Sequence, residues 1–163
     1  ITLHITQPLG EKWQVYGALS EYEYGSTETS GGVEGYEGTG AEYSYELQFV
    51  GNELFMPGDS HIFSLRYYDG QYVQRSRLGI NSRLTLGRNW RIQPRLWLEY
   101  RDNSRDGSDQ WSLQPSARVQ YRWDGRYMLE LEFGHDWSSR DIPDYGSEDS
   151  GGTYALISYR VDF

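Results

Sequence analysis

Hydrolytic or transfer chemistry needs a nucleophile or an activated water beside histidine or paired carboxylates. This chain offers three histidines, His4, His61 and His135, and no cysteine. The stretch DWSSRD gathers Asp136, Ser138 and Asp141. No histidine falls on the same face as that group: alternation puts His135 on the opposite, apolar side, His61 lies beside a turn and His4 sits in the first segment. There is no metal-ligand spacing and no phosphate-binding loop. The sequence therefore predicts no enzyme, no metal and no cofactor.

The residues that are abundant are arginine and carboxylates. The net charge is −9, and residues 1–65 carry all of it, with ten acids against Lys12. From Arg66 onward 14 arginines meet 14 acids, so the rest of the chain is neutral but densely charged. Ten of these arginines fall on one strand face by alternation: Arg66, Arg75, Arg77, Arg83, Arg91, Arg95, Arg101, Arg118, Arg122 and Arg160. Glu42, Glu46, Glu99, Glu130, Glu132, Asp136 and Asp162 share it, as do the rings of Tyr68, Trp97 and Tyr154. Guanidinium forks suit bidentate pairing with carboxylates and polar ligands. Two uses follow: a salt-bridge ladder that closes an interior, or a patterned conduit that orients a polar solute. Rings among such charges suit stacking on sugars. An acidic chain with no basic tail excludes nucleic acid as a partner.

These side chains need strands to position them. Period-two alternation runs from end to end, as in Thr153, Ala155, Ile157, Tyr159, Val161 and Phe163 against Tyr154, Leu156, Ser158, Arg160 and Asp162. It predicts strands over residues 1–7, 12–24, 40–50, 60–69, 71–86, 89–102, 110–123, 126–139 and 152–163. On three of them rings bracket the apolar face ten residues apart: Trp90 and Tyr100, Trp111 and Tyr121, Tyr127 and Trp137. Ten residues at about 3.3 Å, tilted by about 40°, span roughly 25 Å, the height of the apolar band of a transmembrane barrel between its aromatic girdles. The mean hydropathy of −0.77 is then that of strands with one face to lipid and one to a charged interior.

Short turns at 7–12, 86–89 and 124–126 alternate with longer polar loops at 25–39, 102–109 and 140–151, the asymmetry of periplasmic turns and extracellular loops. A short loop near 67–72 and a long connection at 50–60 break that pattern. The acidic block Glu21 to Glu42 and the loop acids Asp102, Asp106, Asp109, Asp141, Asp144, Glu148 and Asp149 form a negative rim. Tyr22 and Tyr24 change parity relative to Trp13, Val15, Gly17 and Leu19, which predicts a bulge near Ser20. Pro94 and Pro115, each in a W-x-[IL]-Q-P frame, predict bulges or bends because proline cannot donate to a ladder.

The last strand, TYALISYRVDF, resembles the terminal signal of Gram-negative outer-membrane β-barrels, with Ile157, Tyr159, Val161 and Phe163 matching and Ala155 a small member. The resemblance implies an all-β, transmembrane, antiparallel up-and-down barrel in the Gram-negative outer membrane. Its partners would be outer-membrane lipid and the barrel assembly machinery. Residues 1–163 read as a single barrel domain of nine strands. LGEKWQVYGAL at 9–19 mirrors LGRNWRIQPRL at 86–96, so the first segment should be a true strand entering a hairpin. That favours the C-terminal portion of a larger barrel over a complete eight-stranded one. The expected function is a channel or porin for a polar solute. Its charged lumen and inward rings resemble exopolysaccharide-export barrels that follow a tetratricopeptide-repeat region, which would imply a polysaccharide and periplasmic lipoprotein or repeat-domain partners. The alternative is a small structural or adhesive eight-stranded barrel plugged by salt bridges.

Overall fold

The structure, a computed structural model, describes residues 1–36 and 38–162. Phe163, the last residue of the assembly signal, lies outside the described residues. The alternation folds into nine strands: β1 Thr2–Leu9, β2 Trp13–Tyr22, β3 Glu42–Asn52, β4 Ser60–Asp69, β5 Val73–Leu86, β6 Trp90–Asn103, β7 Ser108–Trp123, β8 Tyr127–Ile142 and β9 Gly146–Val161. They form one sheet in chain order, each strand antiparallel to the next. β1 and β9 are its two edges, and the sheet is not closed. β1 pairs with β2 from Thr2↔Ser20 to Leu9↔Trp13, so the first segment is a true strand.

Period two turns the sheet into two unlike faces. One carries Leu47 beside Leu65, Leu65 beside Leu78, Leu78 beside Leu98, and Leu98 beside Leu113 in a continuous apolar row. Among the described residues no hydrophobic side chain is buried; Leu65, Leu78, Leu131 and Phe133 stand exposed, and Ile157 is 74% exposed. A soluble domain of this size buries an apolar core. Here most of the large apolar side chains of the strands belong to one uncovered face, with Ile62, Met128 and Leu156 among the exceptions on the other.

Three local expectations are corrected. No bulge interrupts β2: its register with β3 runs unbroken from Trp13↔Gly51 to Tyr22↔Glu42, which leaves Tyr22 on the polar face. The predicted loop at 140–151 is mostly strand, because β8 continues to Ile142 and β9 begins at Gly146, with Arg140 opposite Glu148. The predicted loop at 25–39 folds back on itself through bridges Thr27↔Tyr36 and Ser30↔Val33. Gly31 and Gly32, at φ of +62° and +82°, make its tight turn, a conformation L side chains avoid.

Pairing is interrupted at the prolines with no residue inserted and no shift of register. Between β5 and β6 pairing lapses between Asn81↔Arg95 and Leu84↔Ile92, opposite Pro94, and resumes in the same register. Between β7 and β8 it lapses between Leu113↔Trp137 and Ser116↔Gly134, opposite His135 and beside Pro115. A missing donor costs local hydrogen bonds, and the strands on either side hold the alignment.

Candidate functional site

Every arginine assigned to the polar face by alternation falls in register on it, as do Glu42, Glu46, Glu99, Glu130, Glu132 and Asp136, because paired residues of adjacent strands share a face, while Asp162 lies one residue past β9. Register then decides which charges meet. Arg66 on β4 donates to Glu46 on β3 at 2.9 Å. Glu99 on β6 lies 3.6 Å from Arg75 and 3.7 Å from Arg77, both on β5. On the later strands Arg118 meets Glu132 at 2.6 Å and Glu130 at 3.4 Å. Arg95 on β6 reaches across β7 to Glu132 on β8 at 3.7 Å. Gln120 donates to Glu130, and the Tyr154 hydroxyl lies 3.5 Å from Glu132. Glu132 therefore ties together four strands, β6 to β9.

Not all the predicted face is paired. Among the described residues Arg83, Arg91, Arg101 and Arg122 have no carboxylate within 4.0 Å. Arg160 pairs with Asp162 two residues away at 2.7 Å, a contact within its own strand end. Arg83, Arg91 and Arg122 lie toward the strand ends served by the turns at 87–89 and 124–126, which add Arg88 and Arg126. The acids Asp102, Asp106, Asp109, Asp141, Asp144, Glu148 and Asp149 gather at the opposite ends. The turn at 104–107 is itself stabilised there: the Ser108 hydroxyl and amide, with Arg140, hold the Asp106 carboxyl below its usual range.

The rings of the polar face are seated on glycine. Trp97 is directly opposite Gly79 and covers the space a β-carbon there would need; Tyr154, opposite Gly134, has ring atoms 2.6 Å from where a β-carbon would stand. The guanidinium of Arg77 then lies 4.2 Å from the Trp97 ring centroid. Toward the long loop, Tyr22, Tyr24, Glu42, Ser44, Arg66, Tyr68, Arg75, Arg77 and Glu99 line a cavity of about 250 Å³. Glu42 is buried there and accepts the Tyr68 hydroxyl at 2.6 Å. Sequence reading placed the two tyrosines at 22 and 24 on the wrong face and so missed this cavity. Even spacing from Gln14 to Tyr22 was the signal that locates them.

The apolar face carries its rings in cross-strand groups. Trp90 and Tyr121 are 4.6 Å apart between centroids, and Tyr100 and Trp111 are 4.8 Å apart. Trp123, which the ten-residue spacing passes over, lies 5.8 Å from Tyr121, 5.4 Å from Tyr127 and 5.9 Å from Tyr159. At the other end of the sheet Tyr45 faces Tyr67 at 6.1 Å, and Trp13 faces Phe63 at 6.4 Å. The Trp137 ring centroid lies 4.1 Å from that of His135 with the planes tilted by 53°, and His135 bonds Thr153 at 2.6 Å on that same face. Ile157, Tyr159 and Val161 of the terminal strand pair with Leu131, Leu129 and Tyr127.

One constellation was not legible as such. Asp59 ends the long connection 53–59 with its carboxylate buried, accepting the amides of Leu54, Phe55 and Met56 at 2.9 Å each. His61 places Nε2 3.3 Å from that carboxylate and Nδ1 2.9 Å from the Ser82 hydroxyl. Burial pushes the Asp59 carboxyl up, but the amides and His61 outweigh it and hold it well below the carboxylate range. Residue types alone suggest a hydrolase triad. His61 is only 4% exposed, however, and Phe55 packs edge-on 5.0 Å from its ring, so the group is a clasp for the turn. No family model, curated protein or solved structure matches the chain.

Proposed function

We propose that this chain forms part of the wall of a β-barrel in the Gram-negative outer membrane, with its charged face lining a conduit for a polar solute. The observation that carries the reading is an apolar face, bordered by rings and wholly uncovered, on a sheet that has no buried hydrophobic residue among those described. Lipid is the solvent that leaves such a face in place. The partners proposed are outer-membrane lipid and the barrel assembly machinery. Phe163 belongs to the signal read by that machinery.

Strand direction bears on closure. With nine strands alternating in direction, β1 and β9 run the same way. A seam between them cannot be antiparallel. Closure with antiparallel neighbours throughout needs an odd number of further strands, which favours a larger barrel over a plugged eight-stranded one. A polysaccharide in export is the solute we propose, since rings seated on glycine among guanidinium and carboxylate groups suit sugars. Periplasmic repeat or lipoprotein partners would deliver it. The Glu132 ladder supports the competing reading of a plugged structural or adhesive barrel, because it crosslinks four strands on the inward side. Single-channel recording in planar bilayers separates the two. A steady open conductance is expected from the conduit, and an electrically silent, correctly inserted protein would sink it.

A further inference from the structure

The loop-side half of the polar face holds an arrangement that its own residues leave unresolved. Register sets Arg66 directly opposite Arg77, and Arg75 directly opposite Arg101. Like charges facing each other across a strand pair are destabilising. Two carboxylates stand against these four guanidiniums: Glu46, engaged by Arg66, and Glu99, shared between Arg75 and Arg77 at 3.6 and 3.7 Å, beyond hydrogen-bond length. The Nε atoms of Arg77 and Arg101 are buried with no hydrogen-bond partner. Among the described residues, arginine side chains that donate hydrogen bonds are Arg66, Arg95, Arg118, Arg140 and Arg160, so three of the four here donate none. Glu42, the remaining acid of the cavity, is already committed to the Tyr68 hydroxyl. The later ladder, where Arg118 meets Glu132 at 2.6 Å, has no such surplus of donors.

We infer that Arg66, Arg75, Arg77 and Arg101 form an oxyanion site, taking the carboxylate of a sugar acid or the phosphate of a phosphorylated sugar. The inference rests on the conduit reading and names the solute class that this part of the wall recognises. An oxyanion between the paired guanidiniums relieves their mutual repulsion and accepts the unused N–H groups in the bidentate geometry that guanidinium favours. The adjoining cavity of about 250 Å³ has room for one acidic group and part of the ring that carries it. Arg77 supplies a reporter, because a ligand that draws it off Trp97 changes the environment of that indole.

The test uses the complete assembled barrel inserted in lipid vesicles, with glucuronate, inorganic phosphate and glucose titrated at constant ionic strength. The readout is the tryptophan fluorescence that disappears in Trp97→Phe. Saturable binding of an oxyanion at least about tenfold tighter than glucose is expected. Glucuronate binding tighter than phosphate identifies a sugar acid, and the reverse identifies a phosphorylated sugar. R75Q/R101Q, which keeps the Arg77 reporter, should lose about tenfold or more in affinity, R75K/R101K should keep part of it, and K12Q, in the β1–β2 turn, should bind as the parent does. Equal affinity for glucose and glucuronate, unchanged binding by R75Q/R101Q, or no response from the inserted parent barrel would each overturn the site. Conductance recorded on the same preparation keeps the two proposals apart. Current without oxyanion binding removes the site alone, and oxyanion binding without current removes the conduit alone.

Discussion

Leu131→Arg puts the membrane reading at risk. Leu131 lies on the apolar face of β8, directly opposite Val119 and Ile157. It stands four residues from the ring of Tyr127 and six from that of Trp137. Four residues at about 3.3 Å along a strand tilted by about 40° place it roughly 10 Å from the nearer girdle, close to the middle of a band about 25 Å tall. Arginine at that depth costs about 2–4 kcal/mol, and at the interface about 0–1 kcal/mol. The folded-to-unfolded ratio should therefore fall roughly 30-fold to several hundred-fold. Ser158→Arg is the control: at the same depth it lies exposed on the polar face, opposite Glu130, where a change within about 0.5 kcal/mol is expected. Urea unfolding from lipid vesicles, followed by tryptophan fluorescence, measures both, with the denaturant slope checking that the unfolded state is unchanged. In a water-exposed sheet Leu131 is a surface residue, and arginine there is tolerated. Should L131R and S158R both stay within about 0.5 kcal/mol of the parent chain, the apolar face does not meet lipid.

Other expectations follow from single contacts. Asp59→Asn removes the anion that collects the Leu54, Phe55 and Met56 amides, so hydrogen exchange at those amides should accelerate by about tenfold or more. The Asp59 carboxyl has a depressed folded-state pKa, so its stabilisation is present above the ordinary carboxylate value near 3.9 and is lost as pH falls through the folded value; protection of the turn should survive mild acid and fail in strong acid. Gly134→Ala drives a β-carbon into the Tyr154 ring and should destabilise by about 1–3 kcal/mol, read in the same urea assay. Glu132→Gln leaves Arg95 uncompensated and Arg118 with Glu130 alone, so reversal potentials across a salt gradient should shift toward anion selectivity. Phe163→Ala should reduce outer-membrane assembly in cells, measured by heat-modifiable migration; wild-type yield would count against the terminal signal.

All nine strands are legible in the sequence because a half-exposed strand writes its period directly into the order of residues. Their ends are less so. The stretch from Asp141 to Ser150 is acidic and small, with no apolar beat, yet most of it belongs to the β8–β9 hairpin, held by cross-strand partners such as Arg140 and Glu148. The error at Ser20 came from taking tyrosine as a mark of the apolar face. Tyr22 keeps its parity and stands on the polar face beside Glu42, since a phenol serves either face of such a sheet. The polar-face set of arginines follows from parity alone, but their partners do not. Arg95 finds Glu132 two strands away, past β7, a contact fixed by register and side-chain reach. The Asp59 clasp depends on a turn that brings three amides to one carboxylate, and no local pattern of residue types announces that.

The separation of fixed charge between the two ends of the strands has an electrical meaning. Acids gather where β6 to β9 meet their loops, while Arg83, Arg88, Arg91, Arg122 and Arg126 gather where β5 to β8 meet their turns. In a conduit walled this way, one mouth concentrates mobile cations and the other concentrates mobile anions. Reversing the voltage would fill the middle with both ions or sweep it clear of both. The wall would then behave as a bipolar diode, and current–voltage curves would rectify without any moving gate.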